Sequence, residues 1–222
     1  GADIHVPAGD GALAKQVGRQ TRDSGLKVAA YGSYYHIGFE PPGLFEYLLA
    51  TAVSLGAPII RVWAGAKQPS ETVTDGGYAR VAADGRRIAE LAAAANVRVA
   101  CEWHGYSLTD CAKSATRLFS EVDHPNFWAY WQPHSHMPVE GCLADLEVAL
   151  PHLVGLHVYH RDLETSARRP LAGGEALWRA TFQRAAAMGD MYAHLEFVVN
   201  DDVDQLREDA AALKRWLAET QF

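Results

Sequence analysis

The chain has 222 residues, of which 49% are hydrophobic and 21% are charged, as in an ordinary globular domain with a substantial core. Its formal net charge of −7 argues against a large nucleic-acid-binding surface, because such surfaces are basic. The sequence contains no apolar run near the roughly 20 residues that a membrane span needs and no signal-peptide pattern. We therefore expect neither a nucleic acid nor a membrane as partner.

The first half of the chain alternates between helical and extended patterns. Gly1–Asp10 is interpreted as the end of a strand or as a loop. Helices are predicted at Gly11–Ser24, at Leu44–Leu55, and between the polar loop Lys67–Asp75 and about Ala95. Strands are predicted at Leu26–Tyr31, Pro58–Trp63 and Val97–Trp103, with a loop, GSYYHIG, after the first of them.

The second half continues the alternation. Helices are predicted at Leu108–Val122, with Thr109 and Asp110 helping to cap it, and at Gly141–Leu150 and Glu175–Met188. Strands are predicted at Phe127–Gln132, Val154–Tyr159 and Met191–Val198, with a polar loop at His160–Gly174. A last helix is predicted from apolar residues in steps of three and four, which are Val203, Leu206, Ala210, Leu213 and Leu217.

Three cysteines, Cys101, Cys111 and Cys142, occur in an odd number and without the CxxC spacing of many zinc and redox motifs. This pattern favours reduced thiols that are buried as small hydrophobic side chains, rather than zinc ligands. We therefore expect a cytoplasmic protein.

Alternating strands and helices predict an α/β protein with parallel strands, in one domain that covers residues 1–222. The predicted strand ends are spaced by intervals that each fit one strand–helix–strand unit. An open sheet and a closed barrel both match the strand count. Polar residues at four successive strand ends favour the barrel, because every strand end of a barrel faces one central cavity.

Those four residues are Glu102, Gln132, His157 and Glu196. Each lies where an apolar run gives way to a loop, at the edge of a parallel sheet where chemistry is usually found. Carboxylate, amide and imidazole groups together form an oxygen-rich ligand set. The pattern therefore predicts a site for one divalent metal ion, with Mn²⁺ or Mg²⁺ favoured and Zn²⁺ or Co²⁺ as alternatives.

Four motifs, CEWHG, YWQP, GLHVYH and HLEFV, resemble the xylose isomerase-like TIM barrels in order and spacing. That family includes sugar isomerases and epimerases, inosose dehydratase, 3-dehydroshikimate dehydratase and, more distantly, endonuclease IV. The resemblance implies that Glu102, Gln132, His157 and Glu196 hold one metal ion. Gln132 departs from the family pattern, in which an acidic ligand is usual, and its missing charge should weaken binding.

The resemblance also implies a (β/α)₈-type barrel that lacks its first βα unit, since in the family pattern Gly1–Asp10 follows the second strand or contains only its end. A metal ion in such a barrel stabilises an enediolate while a carboxylate removes a proton next to a carbonyl group. We expect Glu102 and Glu196 to form the acid–base pair. His104, on the same strand face as Glu102, is a further catalytic candidate or a histidine with a structural role.

Five further residues are candidates for substrate binding, each with a structural alternative: Trp63, Arg61, His134, Tyr34 and Arg169. Trp63 could form an apolar wall against a sugar ring, or belong to the core. For Arg61 a structural pairing with a buried carboxylate is favoured. His134 and Tyr34 could line the mouth of the site, and Arg169 could bind an anionic group or lie in solvent.

The function expected from these residues is a metal-dependent isomerase or epimerase that acts on a small sugar or polyol. A dehydratase of the same superfamily is the first alternative, and there His104 would be essential. Endonuclease IV-like activity ranks low, because it needs three zinc ions. A non-catalytic barrel is the remaining alternative, and a homodimer is a possible assembly.

Overall fold

The computed structural model describes residues 6–41, 43–65 and 67–220. The first five residues of the predicted Gly1–Asp10 segment therefore lie outside the described residues. The chain divides into two compact units. The first contains the described residues up to Glu102 together with Tyr106–Trp128, and the second contains Trp103–Gly105 and the described residues from Ala129 onward.

The first unit consists of parallel strands alternating with helices. Its helices are α1 (Gly11–Asp23), α2 (Leu44–Leu55), α3 (Asp75–Ala94) and α4 (Ala112–Val122). Its strands are β1 (Tyr31–His36), β2 (Ile59–Trp63) and β3 (Arg98–Glu102), in the order β1-β2-β3. The register pairs Tyr31 with Ile60 and Val62 with Cys101. This arrangement brings the carboxyl ends of the three strands to one edge.

The second unit repeats this pattern. Most of β4 (Phe127–Trp131) belongs to it, from Ala129 to the end of the strand. Its other strands are β5 (Leu153–Val158), β6 (His160–Arg161), β7 (Arg168–Arg169) and β8 (Tyr192–Leu195). Its helices are α5 (Val139–Ala149), α6 (Glu175–Ala185) and α7 (Val203–Glu219). Strands β4, β5 and β8 are parallel neighbours in that order, whereas β6 and β7 form a short antiparallel pair.

Helix boundaries follow from local capping chemistry. The carboxylate of Asp10 accepts a hydrogen bond from the backbone N–H of Leu13 at the start of α1. Asp202 does the same for Gln205 at the start of α7. Helix α2 ends at Gly56, whose φ of 79° lies in the left-handed region that suits glycine. These signals explain why the predicted bounds of α1 and α2 agree with the structure within one residue.

Strand β1 corrects the sequence prediction. Leu26–Tyr31 was expected to be a strand and GSYYHIG a loop, yet the strand runs from Tyr31 to His36 and Leu26 is exposed. Tyr31, Ser33 and Tyr35 alternate into the core, and the Ser33 hydroxyl donates to the Arg61 carbonyl. Tyrosine and serine side chains thus supply the buried face that a strongly apolar run was expected to supply.

Two further predictions are wrong. Helix α4 begins at Ala112 rather than Leu108, and neither Thr109 nor Asp110 caps it. Instead the Thr109 hydroxyl donates to the Glu102 carbonyl, and the Asp110 carboxylate accepts from the Ser70 N–H. Both side chains hold the segment before α4 in a non-helical conformation.

Helix α7 buries a different face from the predicted one. Val203 and Leu206 are exposed, and the buried residues are Asp209, Ala212, Leu213 and Trp216. Asp209 can be buried because its carboxylate accepts hydrogen bonds from the Leu171 N–H and from Nε2 of Gln205.

The remaining predictions have mixed outcomes in the described part of the chain. The predicted alternation of parallel strands and helices is confirmed. The three cysteines are free, and Cys101 and Cys142 are buried as expected, whereas Cys111 is partly exposed. None of the helices among these residues combines the length and the apolar character that crossing a lipid bilayer requires.

Candidate functional site

Three of the predicted ligands lie together at the carboxyl edge of the second unit's sheet. Gln132 directly follows β4, His157 is the penultimate residue of β5, and Glu196 directly follows β8. Because β4, β5 and β8 are parallel neighbours, their carboxyl ends meet at one edge. Strand pairing alone therefore brings an amide, an imidazole and a carboxylate to one place.

The ring of His157 is the centre of this group. Its Nδ1 donates a hydrogen bond to Oε1 of Gln132 at 3.1 Å and lies 3.6 Å from Oε2 of Glu196. Gln132 and His157 are buried, whereas the Glu196 side chain is 32% exposed. The group thus has a buried base and one carboxylate that solvent or a small molecule can reach.

The chemistry of these three donors suits a divalent cation. Amide and carboxylate oxygens are ligands of hard cations, and imidazole nitrogen binds most divalent transition metals. Among the residues that the structure describes, no group of three histidine, cysteine, aspartate or glutamate side chains is close enough to hold a metal. The convergence seen here includes a glutamine, which brings no formal charge to the set.

Two residues that the sequence analysis did not single out surround His157. The Tyr130 ring lies against the His157 ring, with centroids 4.7 Å apart, and the Tyr130 hydroxyl is hydrogen-bonded to Nδ1 of His194 at 2.7 Å. Burial, followed by the charge of His157, lowers the pKa of His194 to about 4. Both residues stand two positions before a predicted ligand, so the two-residue period of a strand was the signal that could have found them.

Glu102 lies in the first unit, at the end of β3, where it is buried. Its Oε2 is 2.9 Å from Nη1 of Arg61 and accepts a hydrogen bond from the indole N–H of Trp63. Arg61 and Trp63 stand two residues apart on β2, so both face the neighbouring end of β3. The favoured interpretation of Arg61, as the partner of a buried carboxylate, agrees with this ion pair.

Aromatic rings extend this cluster in the first unit. The Tyr34 ring meets Trp63 edge to face at 5.6 Å, and the Arg61 guanidinium lies 5.7 Å from the centre of the Tyr34 ring. Tyr34 is 54% exposed. Trp63 and Tyr34 therefore form one aromatic surface with the Arg61 charge beside it, and the role of Trp63 as a wall against a sugar ring stays a prediction.

The remaining candidates have varied surroundings. Nδ1 of His104 is 2.7 Å from the Gly105 carbonyl. His134 is largely buried, with Nε2 3.2 Å from a carboxylate oxygen of Asp145. Arg169 lies in the β6–β7 pair and donates to Asp162.

The predicted ligands are distributed over both units. Gln132, His157 and Glu196 converge within the second unit, and Glu102 contacts Arg61 and Trp63 within the first. The assignment of Glu102 as a fourth ligand stays a prediction.

A profile of the family described as xylose isomerase-like TIM barrel matches residues 2–219. A search of curated proteins gave no match.

Three similar structures represent the matches. A probable 3-DHS dehydratase, AsbF, from Bacillus anthracis has 20% identity and a TM-score of 0.74, over 91% of this chain and 81% of that chain. The 3-keto-D-glucoside 4-epimerase YcjR from E. coli has 19% identity and a TM-score of 0.69, over 93% and 87%. A xylose isomerase-like TIM barrel protein from Mycobacterium smegmatis, in complex with magnesium, has 15% identity and a TM-score of 0.58, over 96% and 93%. At these identities the likeness establishes the fold alone.

Proposed function

Since this chain belongs to the xylose isomerase-like TIM barrel family, we propose that it is a divalent-metal-dependent isomerase or epimerase of a small sugar or polyol. The family membership agrees with the resemblance carried by its four motifs. The observation that carries the proposal is the convergence of Gln132, His157 and Glu196 at the carboxyl edge of one sheet. A similar structure that is an epimerase supports the reaction class, and one that contains magnesium supports the ion.

In this proposal Nδ1 of His157 donates to Gln132 in the metal-free protein and gives up that proton when an ion binds. Nδ1 of His157, Oε1 of Gln132 and a carboxylate oxygen of Glu196 would then hold Mn²⁺ or Mg²⁺. When bound, the ion polarises the substrate carbonyl and stabilises the negative charge of an enediolate. Glu196 brings the only formal charge among these three ligands, so we expect moderate affinity. Glu102 stays the fourth ligand that the family resemblance predicts.

The proposed role of Glu196 combines binding with proton transfer. Its carboxylate is the most exposed of the three donors, so it can meet a substrate carbon beside a carbonyl group and remove the proton there. Return of a proton to the neighbouring carbon gives isomerisation, and return to the opposite face of the same carbon gives epimerisation. Glu102 is the proposed second acid–base residue.

The first experiment measures binding of Mn²⁺ to the metal-free protein by titration calorimetry. We expect about one equivalent for the wild type and a loss of at least tenfold in affinity for Glu196→Gln. Glu140→Gln is the matched control, because Glu140 is an exposed glutamate at the start of α5. No binding by the wild type, or equal binding by Glu196→Gln and the control, would contradict the proposal.

A second experiment identifies the reaction. The metal-loaded protein is incubated in D₂O with ketoses, inososes and dehydroshikimate, and proton NMR follows each substrate. An isomerase or epimerase exchanges the hydrogen next to the carbonyl for deuterium, whereas a dehydratase produces a conjugated carbonyl compound. A metal-binding protein that changes none of these compounds would favour the non-catalytic alternative.

The dehydratase alternative makes a separate prediction about His104. Elimination needs an acid that protonates the departing hydroxyl, and the His104 imidazole stands two residues after Glu102 on the chain. His104→Gln would then abolish formation of the conjugated product. An epimerase would retain hydrogen exchange in the same variant.

A further inference from the structure

We propose that Tyr130 and His194 are positioning residues that hold the imidazole of His157 in the orientation a metal ion requires. This inference rests on the proposed metal site, and it concerns residues that touch a proposed ligand rather than the ion. It explains why the second unit buries a tyrosine and a second histidine beside His157.

The Tyr130 ring fixes one side of His157. It is almost fully buried, and its centroid lies 4.7 Å from that of His157 at an interplanar angle of 40°. The Tyr130 ring also packs against the backbone of Gly155, where an added Cβ atom would stand 2.3 Å from Cζ of Tyr130. The tyrosine therefore occupies the space that a side chain at position 155 would fill, and it packs directly on the β5 backbone.

The far end of the Tyr130 ring is also fixed. Its hydroxyl is hydrogen-bonded to Nδ1 of His194 at 2.7 Å, and the two rings are nearly parallel, 16° apart. His194 pairs with His157 in the register of β5 and β8, and the Tyr192 ring stacks on it at 17°. This hydrogen bond ties Tyr130 on β4 to His194 on β8, with β5 between them.

These contacts restrict rotation of the His157 ring. A half-turn about its outer side-chain bond would put Cδ2 in the place of Nδ1 and would sweep the ring past Tyr130. With Tyr130 held at both ends, Nδ1 stays 3.1 Å from Oε1 of Gln132 and 3.6 Å from Oε2 of Glu196. Partners that orient a metal-binding histidine in this way strengthen metal binding without touching the metal.

The test compares Tyr130→Phe with the wild type, since this change keeps the ring and removes only the hydroxyl. We expect Co²⁺ affinity to fall about tenfold and the visible Co²⁺ absorption bands to shift, because the ligand geometry loosens. His194→Gln retains a polar partner for the hydroxyl, so it should keep most of the affinity. Tyr192→Phe is the matched control, because Tyr192 stacks on His194 but the hydrogen bond to Nδ1 of His194 comes from Tyr130.

A metal-free readout separates this inference from the proposed function. In ¹⁵N NMR spectra at pH 8 the wild-type His157 should show the Nδ1–H tautomer, which donates to Gln132, and Tyr130→Phe should show a mixture. A wild type that binds no metal would refute the proposed function alone. Wild-type affinity, Co²⁺ spectrum and tautomer in Tyr130→Phe would overturn the positioning role, with thermal unfolding confirming that the variant is folded.

Discussion

The indole Nε1 of Trp103 donates a 2.7 Å hydrogen bond to the carboxylate of Asp145, and both side chains are buried in the second unit. His134 approaches the same carboxylate oxygen at 3.2 Å. One acid on α5 therefore fixes the segment Trp103–Gly105, which carries His104, and the loop that follows β4. Asp145 on α5 therefore helps to place two candidate site residues, His104 and His134.

Removing this carboxylate should destabilise the fold. Asp145→Ala removes the carboxylate that accepts from the buried Trp103 indole, which we expect to cost about 1–3 kcal/mol of unfolding free energy. Asp145→Asn should cost less, since an amide oxygen can still accept the bond. Urea unfolding measures both, with Glu147→Ala as control, because the exposed Glu147–Arg184 ion pair should contribute less than about 1 kcal/mol. Equal losses for Asp145→Ala and the control would contradict this reasoning.

Gly155 should tolerate no side chain. A Cβ atom there would lie 2.3 Å from Cζ of Tyr130, so Gly155→Ala must displace that ring or the β5 backbone. We expect a loss of about 1–3 kcal/mol in unfolding free energy. Gly76→Ala is the matched control at the start of α3, where the nearest atom to a new Cβ is 4.0 Å away, and it should be neutral or slightly stabilising. A neutral Gly155→Ala would show that Tyr130 moves freely.

The thiols should differ sharply in reactivity. Burial raises the pKa of Cys142 to about 11 and raises that of Cys101 further, whereas Cys111 is partly exposed. Because the thiolate is the reactive form, we expect a colorimetric disulfide reagent at pH 8 to modify Cys111 first in the native protein. All three thiols should react after denaturation. Cys111→Ser should remove the fast phase, and a fast phase that persists would place an accessible thiol elsewhere.

The positions of Gln132, His157 and Glu196 could be predicted because each is a polar residue after an apolar run. Tyr130, His194 and Asp145 could not be assigned a role in the same way. Their contacts depend on which strands and helices become neighbours, and a single sequence does not state this. The two-residue period of a strand places Tyr130 and His194 on the same face as the predicted ligands, but it does not give their hydrogen-bond partners. One acid in an amphipathic helix likewise has no local signature of its partner.

The fold was predictable where the chain uses strong local signals. Helix α2 matches its prediction because apolar periodicity ends at Gly56, a residue suited to a left-handed C-cap. Strand β1 was misplaced because its buried face is made of Tyr31, Ser33 and Tyr35 rather than aliphatic residues. The buried face of α7 was misjudged because Asp209 enters the core through hydrogen bonds to Leu171 and Gln205. In these two elements, hydrogen bonds between distant residues rather than hydrophobicity thus determine which side chains are buried.

The pKa of about 4 at His194 should make the metal-free protein less stable in acid. In the unfolded chain a histidine titrates near pH 6.5. Between that pH and about 4, this residue therefore binds a proton in the unfolded state but not in the folded state. The contribution of His194 is therefore present in full above about pH 6.5 and is lost as the pH falls toward 4. Urea unfolding at several pH values between about 7.5 and 4 measures this loss of unfolding free energy.

His194→Gln isolates this effect, because it keeps a polar partner for the Tyr130 hydroxyl but does not titrate. Its unfolding free energy should fall less steeply than that of the wild type across the same pH range. His152 and His160, whose pKa values burial also lowers, remain in both proteins and so cancel in the difference. Parallel pH profiles for the two proteins would mean that His194 takes up its proton as readily in the folded state as in the unfolded chain.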